Sequence, residues 1–329
     1  MKTKKIIKMG WLMGLMIVLC LADVFAATRA DELYQKAVSE IKQQNTEAAI
    51  PLLDAVLACD DANDILRMNS HRHRARLIYF ENPESAKSDC NLAIMTAKNI
   101  IAERLNGNTN LSQDYLIAVC DNYGATMWFT TSILRREGMY NEAAAISQSF
   151  SADVLKLGSF FDDNGRQKIV DCAKKGWLEA AQIMTGAKQL AEAHNIYTNA
   201  EEVLSKLDWT IPEMTEKAIY TMQMGALITS DVNDKAFGAA AAELIEKNKT
   251  KSWIVDSSID VSLISYERQY ELFSSLVKAQ PTTADDHAMA MLYRLAYTSA
   301  KEVGRPEEAV IYYKILKQKY PNELVSALP

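Results

Sequence analysis

Two histidines and three arginines lie within thirteen residues of this chain, in the stretch "MNSHRHRARLIYF" from Met68 to Phe80. Side chains of these types could hold a metal ion, bind an anion or form a solvated helix face. His71 and His73 are two residues apart, which directs them to different faces of a helix, whereas metal ligands on one helix prefer a spacing of three or four. We therefore expect no metal here and no cofactor, with His71 partly packed and His73 in solvent.

The same stretch, read as a helix, carries a polar stripe. The residues that share this face are Asn69, Arg72, Arg76 and Tyr79. An apolar stripe that includes Ala75 lies beside them and is expected to pack. Guanidinium groups one turn apart are suited to holding a carboxylate. The alternative is a solvated face whose arginines pair with the nearby Glu81 and Glu84.

Motifs of known catalytic sites are almost absent. The chain contains no GxGxxG, no glycine-rich GK[ST], no HExxH and no GxSxG. Two SxxK matches occur, Ser39 to Lys42 and Ser275 to Lys278, but both lie in helix-like runs and no KTG follows them. We therefore predict that the protein is not an enzyme.

The N-terminus resembles a secretory signal peptide. Four lysines precede an apolar run from about Met9 to Leu21, and small residues follow it, with a cleavage position between Ala26 and Ala27. The apolar run is short for a membrane span, and Asp23 interrupts its end. We predict a signal peptide at residues 1–26 and a secreted mature chain, periplasmic if the host is Gram-negative and without membrane insertion after cleavage.

The charge of the mature chain argues against nucleic acid as a partner. Removing residues 1–26 takes away four lysines and one aspartate, which leaves 32 basic and 41 acidic residues, a formal charge of −9. A surface of this sign does not attract polyanions. No linker rich in Pro, Gly or Ser divides residues 27–329, so one elongated body is expected.

The composition predicts an all-α fold. Helix-forming residues dominate, no segment alternates apolar and polar residues over the length of a strand, and short breaks place Asn, Asp, Ser or Thr before new apolar-periodic runs. We predict about thirteen helices in consecutive hairpins. The helices near residues 84–105 and 111–136 are expected to be unusually long.

One hairpin, at residues 290–323, has recognisable spacing. Tyr293 begins it, Gly304 lies at the turn, Ala309 is in the second helix and Pro321 follows the end. These residues resemble the tetratricopeptide repeat (TPR), a pair of antiparallel helices whose small residues allow close approach. A weaker copy at residues 31–64 repeats the 16-residue spacing, from Leu33 to Ala49.

The resemblance implies a right-handed superhelical solenoid of stacked hairpins. In such a fold the first helices line a concave groove that binds a protein or peptide, and Arg72 and Arg76 would point into it. The resemblance makes the whole polar stripe a candidate peptide-binding site, formed by Asn69, Arg72, Arg76 and Tyr79. The implied function is a scaffold or adaptor whose partner carries an acidic segment or a free carboxylate. A carbohydrate- or peptidoglycan-binding module is the alternative and predicts exposed tryptophans grouped on one surface. A helical accessory domain of a cell-wall enzyme is a further alternative, which predicts a cleft with paired carboxylates.

Four cysteines remain in the mature chain, an even number in an oxidising compartment. They are Cys59, Cys90, Cys120 and Cys172. Each has apolar neighbours at helical spacing, which favours buried free thiols. A disulfide between adjacent hairpins, such as Cys59 with Cys90, is the alternative.

Overall fold

The computed structural model describes residues 28–251, 253–254 and 264–321. The predicted signal peptide at residues 1–26 lies outside these ranges. All regular structure in the described ranges is helical, with thirteen α-helices, one short 3-10 helix and no strand. The all-α class and the expected number of helices are thereby confirmed.

The described residues divide into two compact units, with the boundary between Ile100 and Ile101. The first unit contains α1 (Arg29–Lys42), α2 (Thr46–Leu57), α3 (Asp64–Ile78) and the greater part of α4 (Pro83–Leu105). Helix α1 packs on α2, α2 packs on α3, and α1 also contacts α3. A small apolar core joins the first three helices through Ala30, Val56, Ala62 and Leu66.

The second unit continues the hairpin arrangement. Its helices are α5 (Gln113–Arg136), α6 (Tyr140–Leu155), a 3-10 helix (Gly158–Phe160), α7 (Asp163–Gly186), α8 (Leu190–Ser205), α9 (Pro212–Thr229), α10 (Asp234–Asn248), α11 (Tyr266–Ala279), α12 (Asp286–Glu302) and α13 (Pro306–Lys319). Each α-helix packs on the next along the chain, and α7 also contacts α5 and α9. This is the sequential packing that a solenoid requires. The unusual lengths predicted for α4 and α5 are also observed.

Helix starts follow the predicted capping chemistry. At Thr28 the side chain accepts a hydrogen bond from the backbone N–H of Asp31, and the Asp31 carboxylate accepts one from the backbone N–H of Thr28. Side-chain oxygens cap eight further helices in the simpler way, at Asn45, Asn63, Asn82, Ser112, Asp162, Asn233, Ser265 and Asp285. The turns after α5 and α12 contain Gly138 and Gly304 with φ of 76° and 73°, a left-handed conformation that glycine adopts without strain.

The small residues of the predicted repeats are buried contact points. Ala37, Ala49 and Ala75 in the first unit are fully buried, and Ala309 in the last hairpin is 4% exposed. Alanine at such positions lets two helix backbones approach closely, as the resemblance implies. The right-handed winding and membership of the TPR family stay predictions.

Among the described residues, every helix is either too short or too polar to cross a bilayer.

Candidate functional site on helix α3

Helix α3 presents the predicted polar stripe, and its start is set locally. The Asn63 side chain accepts a hydrogen bond from the backbone N–H of Leu66 at 2.9 Å, which caps the helix. Leu66, Met68 and Ala75 are buried, so they fix which side of α3 faces the core. The five cationic or titratable side chains between His71 and Arg76 are then distributed over the remaining faces.

His71 and Arg74 belong to an ion-pair network that joins three helices. Asp89 of α4 is 1% exposed and accepts hydrogen bonds from Arg74 Nε and Nη2 at 2.8 and 2.5 Å and from His71 Nδ1 at 2.8 Å. Arg74 Nη1 also donates to Asp54 of α2 at 2.5 Å. Burial alone would raise the pKa of the Asp89 carboxyl, but the hydrogen bonds from His71 and Arg74 outweigh it and hold that pKa below its ordinary value. Arg74 and His71 therefore have a structural role.

Arg72 lies on a different face, where it meets α1. Its Nη2 donates to Asn69 Oδ1 at 2.6 Å, while its Nε is buried with no hydrogen-bond partner. Burial lowers the pKa of the Arg72 guanidinium, Tyr34 of α1 acts in the opposite sense, and Arg76 lowers it again. The orphaned Nε is a donor that a bound acceptor would satisfy.

Arg76 is exposed and makes no ion pair with any described residue. In the alternative interpretation the arginines pair with nearby acids, but Glu84 pairs with Lys87 at 2.9 Å. Arg76 lowers the pKa of Arg72 through electrostatic repulsion, which indicates that the two like charges lie near each other on this face. A pair of cations without a counter-charge raises the local positive potential of an otherwise acidic chain.

The structure brings together part of the predicted stripe and adds two residues to it. Asn69 and Arg72 are hydrogen-bonded to each other, and Arg76 lies close enough to Arg72 to affect its pKa. Tyr79 follows the last residue of α3 and is half-buried, and its ring contacts that of Phe80 in a tilted arrangement, with centroids 5.2 Å apart. Tyr34 and His73 were not included in the predicted site. Both lie against Arg72, and only the packing of α1 on α3 could have identified Tyr34.

His73 is half-buried and not in solvent as expected. Its ring centroid lies 6.1 Å from that of Tyr34. Burial, with the charges of Arg72 and Arg76, lowers the pKa of His73 to about 4. A neutral imidazole therefore accompanies the two arginines at physiological pH.

We expect the His73 imidazole to titrate near pH 4. Its pKa should rise in an Arg72→Ala, Arg76→Ala double variant, because that variant removes two of the three causes of the low pKa. Since the unfolded chain binds this proton at about pH 6.5, His73 weakens the fold as the pH falls from there towards 4. An NMR titration of the imidazole Cε1 proton measures the midpoint. A wild-type midpoint near 6.5 would contradict the burial of His73.

The other candidate chemistries have little support in the described part of the chain. No group of three or more His, Cys, Asp and Glu side chains there could hold a metal ion. Trp177 and Trp253 are buried, and Trp209 lies against Gly158, which leaves Trp128 as the one tryptophan of the described mature chain that is more than half exposed. All four cysteines are free.

The comparisons with known proteins add no relative. No protein-family model matches this chain, and no curated protein matches it in sequence. The predicted resemblance to the TPR therefore rests on the residue spacing alone.

Proposed function

We propose that this chain is a secreted, TPR-like binding protein that acts as a scaffold or adaptor, and that the α3 surface of its first unit holds an acidic segment or free carboxylate of a protein or peptide partner. The proposal rests on a difference in ion pairing among three arginines. Arg74 is neutralised by Asp89 and Asp54, whereas Arg72 and Arg76 have no carboxylate partner among the described residues.

The geometry around the arginines supports a planar anion as the ligand. Arg72 offers a buried, unused Nε, Arg76 offers an exposed fork, and Asn69 orients Arg72 through its Oδ1. A carboxylate bound by two guanidinium groups makes charge-assisted hydrogen bonds, which are roughly twice as strong as neutral ones. The positive patch also steers an acidic partner towards this face.

The carbohydrate-binding alternative has less support. It needs several exposed tryptophans on one surface, and two of the four in the mature chain are buried. The periplasmic or secreted location rests on the lysine and apolar pattern of residues 1–26, and the non-enzymatic character rests on the missing motifs.

The binding test compares fluorescein-labelled hexaglutamate with the matched hexaglutamine peptide by fluorescence anisotropy. We expect hexaglutamate to bind the wild type, and Arg72→Ala with Arg76→Ala to weaken that binding about tenfold, since exposed charge-assisted contacts are worth about 1.5 kcal/mol. Raising the salt concentration should weaken wild-type binding as well, because exposed charges are screened within about 8 Å at 0.15 M ionic strength.

The matched control replaces Lys36 and Lys42 with alanine. These exposed cations lie on α1 of the same unit, so the control removes the same total charge from another place. Arg72→Lys with Arg76→Lys keeps the charge but removes the guanidinium forks, and we expect an intermediate loss. Equal weakening by the Lys36 and Lys42 control would mean that overall charge is being measured, and unchanged binding by the arginine variants would make the stripe a solvated face.

A further inference from the structure

A cavity of about 170 Å³ opens on the second unit between α5 and α7, with α6 beneath it. Its lining residues from α5 share one face, at offsets of one, four, five and eight from Cys120. They are Cys120, Asp121, Gly124, Ala125 and Trp128 from α5, Phe150 from α6, and Cys172 and Lys175 from α7. The cavity is smaller than the roughly 300–1,000 Å³ of sites for drug-sized molecules, so its volume suits one side chain better than a whole ligand.

The floor of the cavity is apolar and uncharged. Phe150 is 2% exposed and packs edge-on against Tyr123, with ring centroids 4.9 Å apart. Burial raises the pKa of both thiols, that of Cys172 to about 11, so neither is a thiolate at neutral pH. Gly124 and Ala125 leave the space open, since neither has a side chain long enough to fill it.

The wall of the cavity is the indole of Trp128, which is 56% exposed. Trp128 makes no ring contact or side-chain hydrogen bond with the described residues. The Thr131 hydroxyl donates a hydrogen bond to the backbone carbonyl of Trp128, not to its indole. Large aromatic side chains that remain exposed beside a pocket are typical of binding surfaces, because burying them later releases ordered water.

The rim carries one acidic and one basic side chain. Asp121 is exposed and has no ion-pair partner among the described residues, while Lys175 contacts Asp171 at 2.7 Å. Asp121 also affects the pKa values of Lys175 and Cys172, so the two rim charges lie near the same floor residue. Opposite charges at one rim match a neutral ligand that offers both a donor and an acceptor, as the N–H and C=O of a peptide main chain do.

We propose that this cavity binds a single aromatic side chain of an extended partner peptide. The ring stacks on Trp128 above Phe150, and the peptide main chain lies across the rim, donating to Asp121 and accepting from Lys175. Aromatic rings prefer offset or edge-to-face arrangements of this kind, and a flat indole wall favours a ring over a branched aliphatic side chain. The inference rests on the proposed peptide-binding function but concerns a separate site in the other unit.

The test uses blocked pentapeptides of the form acetyl-Gly-Gly-X-Gly-Gly-amide, with X being 4-fluorophenylalanine, observed by fluorine NMR. We expect the labelled peptide to bind the wild type saturably. The unlabelled phenylalanine peptide should displace it, whereas peptides with alanine or leucine at X should displace little of it. Ala125→Leu fills the cavity and Trp128→Ala removes its wall, and each should weaken binding about tenfold or more. Trp128 is exposed, so we expect Trp128→Ala to fold, and it tests the site even if Ala125→Leu prevents folding.

Two controls separate this site from the α3 surface. Leu190→Ala removes an exposed apolar side chain from α8, which does not line the cavity, and should leave peptide binding unchanged. The Arg72→Ala, Arg76→Ala variant should bind the fluorinated peptide normally, while Trp128→Ala should bind hexaglutamate normally. Competition by the leucine peptide as strong as that by the phenylalanine peptide would overturn the aromatic assignment. Wild-type affinity in Trp128→Ala and Ala125→Leu would overturn the site itself.

Discussion

Replacing Asp89 with alanine is expected to lower the free energy of unfolding by about 3–5 kcal/mol, the usual loss when one partner of a buried ion pair is removed. Asp89 is 1% exposed and neutralises Arg74 while accepting from His71. Without the carboxylate, the Arg74 guanidinium keeps only the half-exposed Asp54, and His71 loses its partner. Urea denaturation followed by far-ultraviolet circular dichroism measures the difference.

The control for this experiment is Asp54→Ala. The Asp54 side chain is 50% exposed, and pairs of that kind are worth at most about 1 kcal/mol. Because the pKa of Asp89 is lower in the folded chain than the unfolded value of about 3.9, its stabilisation is complete above that value and is lost as the pH falls through the folded pKa. If Asp89→Ala lowered the free energy of unfolding no more than Asp54→Ala does, Asp89 would not be the main stabilising member of the network.

Gly176→Val is expected to lower the free energy of unfolding by about 3 kcal/mol, at the upper end of the range for overpacked cores. A Cβ at Gly176 of α7 would lie 2.2 Å from Ser151 Oγ and 2.9 Å from the Ser147 carbonyl oxygen, both in α6. The carbonyl belongs to helix backbone and cannot turn aside as a flexible side chain could. The two helices must therefore separate, and the Ser151 hydroxyl loses its 2.8 Å hydrogen bond to the Ala173 carbonyl.

A glycine on the same helix provides the comparison. At Gly186 a Cβ would meet nothing within 4 Å, so Gly186→Ala should leave stability unchanged or raise it by less than about 1 kcal/mol through better helix propensity. Urea midpoints of the two variants and the wild type give the answer directly. Equal stability of Gly176→Val and wild type would show that α6 and α7 are not packed as closely as described.

The helices could be predicted because their signals are local. Caps such as Asn63 and Ser265 act within three residues, and apolar periodicity needs only one helix. The burial of Ala37 and Ala75 also followed from repeat spacing, which encodes contact between neighbouring helices. The class of fold and the rough element boundaries were therefore accessible from the sequence.

The ion-pair partners of the individual cations could not be predicted in this way. Arg74 is 20 residues from Asp54 and 15 from Asp89, and only the packing of three helices brings them together. Reasoning from sequence offered Glu81 and Glu84 as partners because they were near along the chain. His73 was assigned to solvent because nothing local indicates that Tyr34 of α1 covers it. The cavity beside Trp128 was missed for a similar reason, since residue spacing does not say which exposed face of α5 lies open.

The ion-pair network has a consequence for the entropy of binding at α3. Arg74 and His71 tie this helix to α2 and α4, and Arg67 donates to the backbone carbonyls of Leu57 and Cys59 at the end of α2. The helix is therefore held against rotation about its own axis before any ligand arrives. A partner at Arg72 and Arg76 has only side-chain rotamers to order, at most about 2 kcal/mol for each arginine, and Asn69 has already restricted one of them.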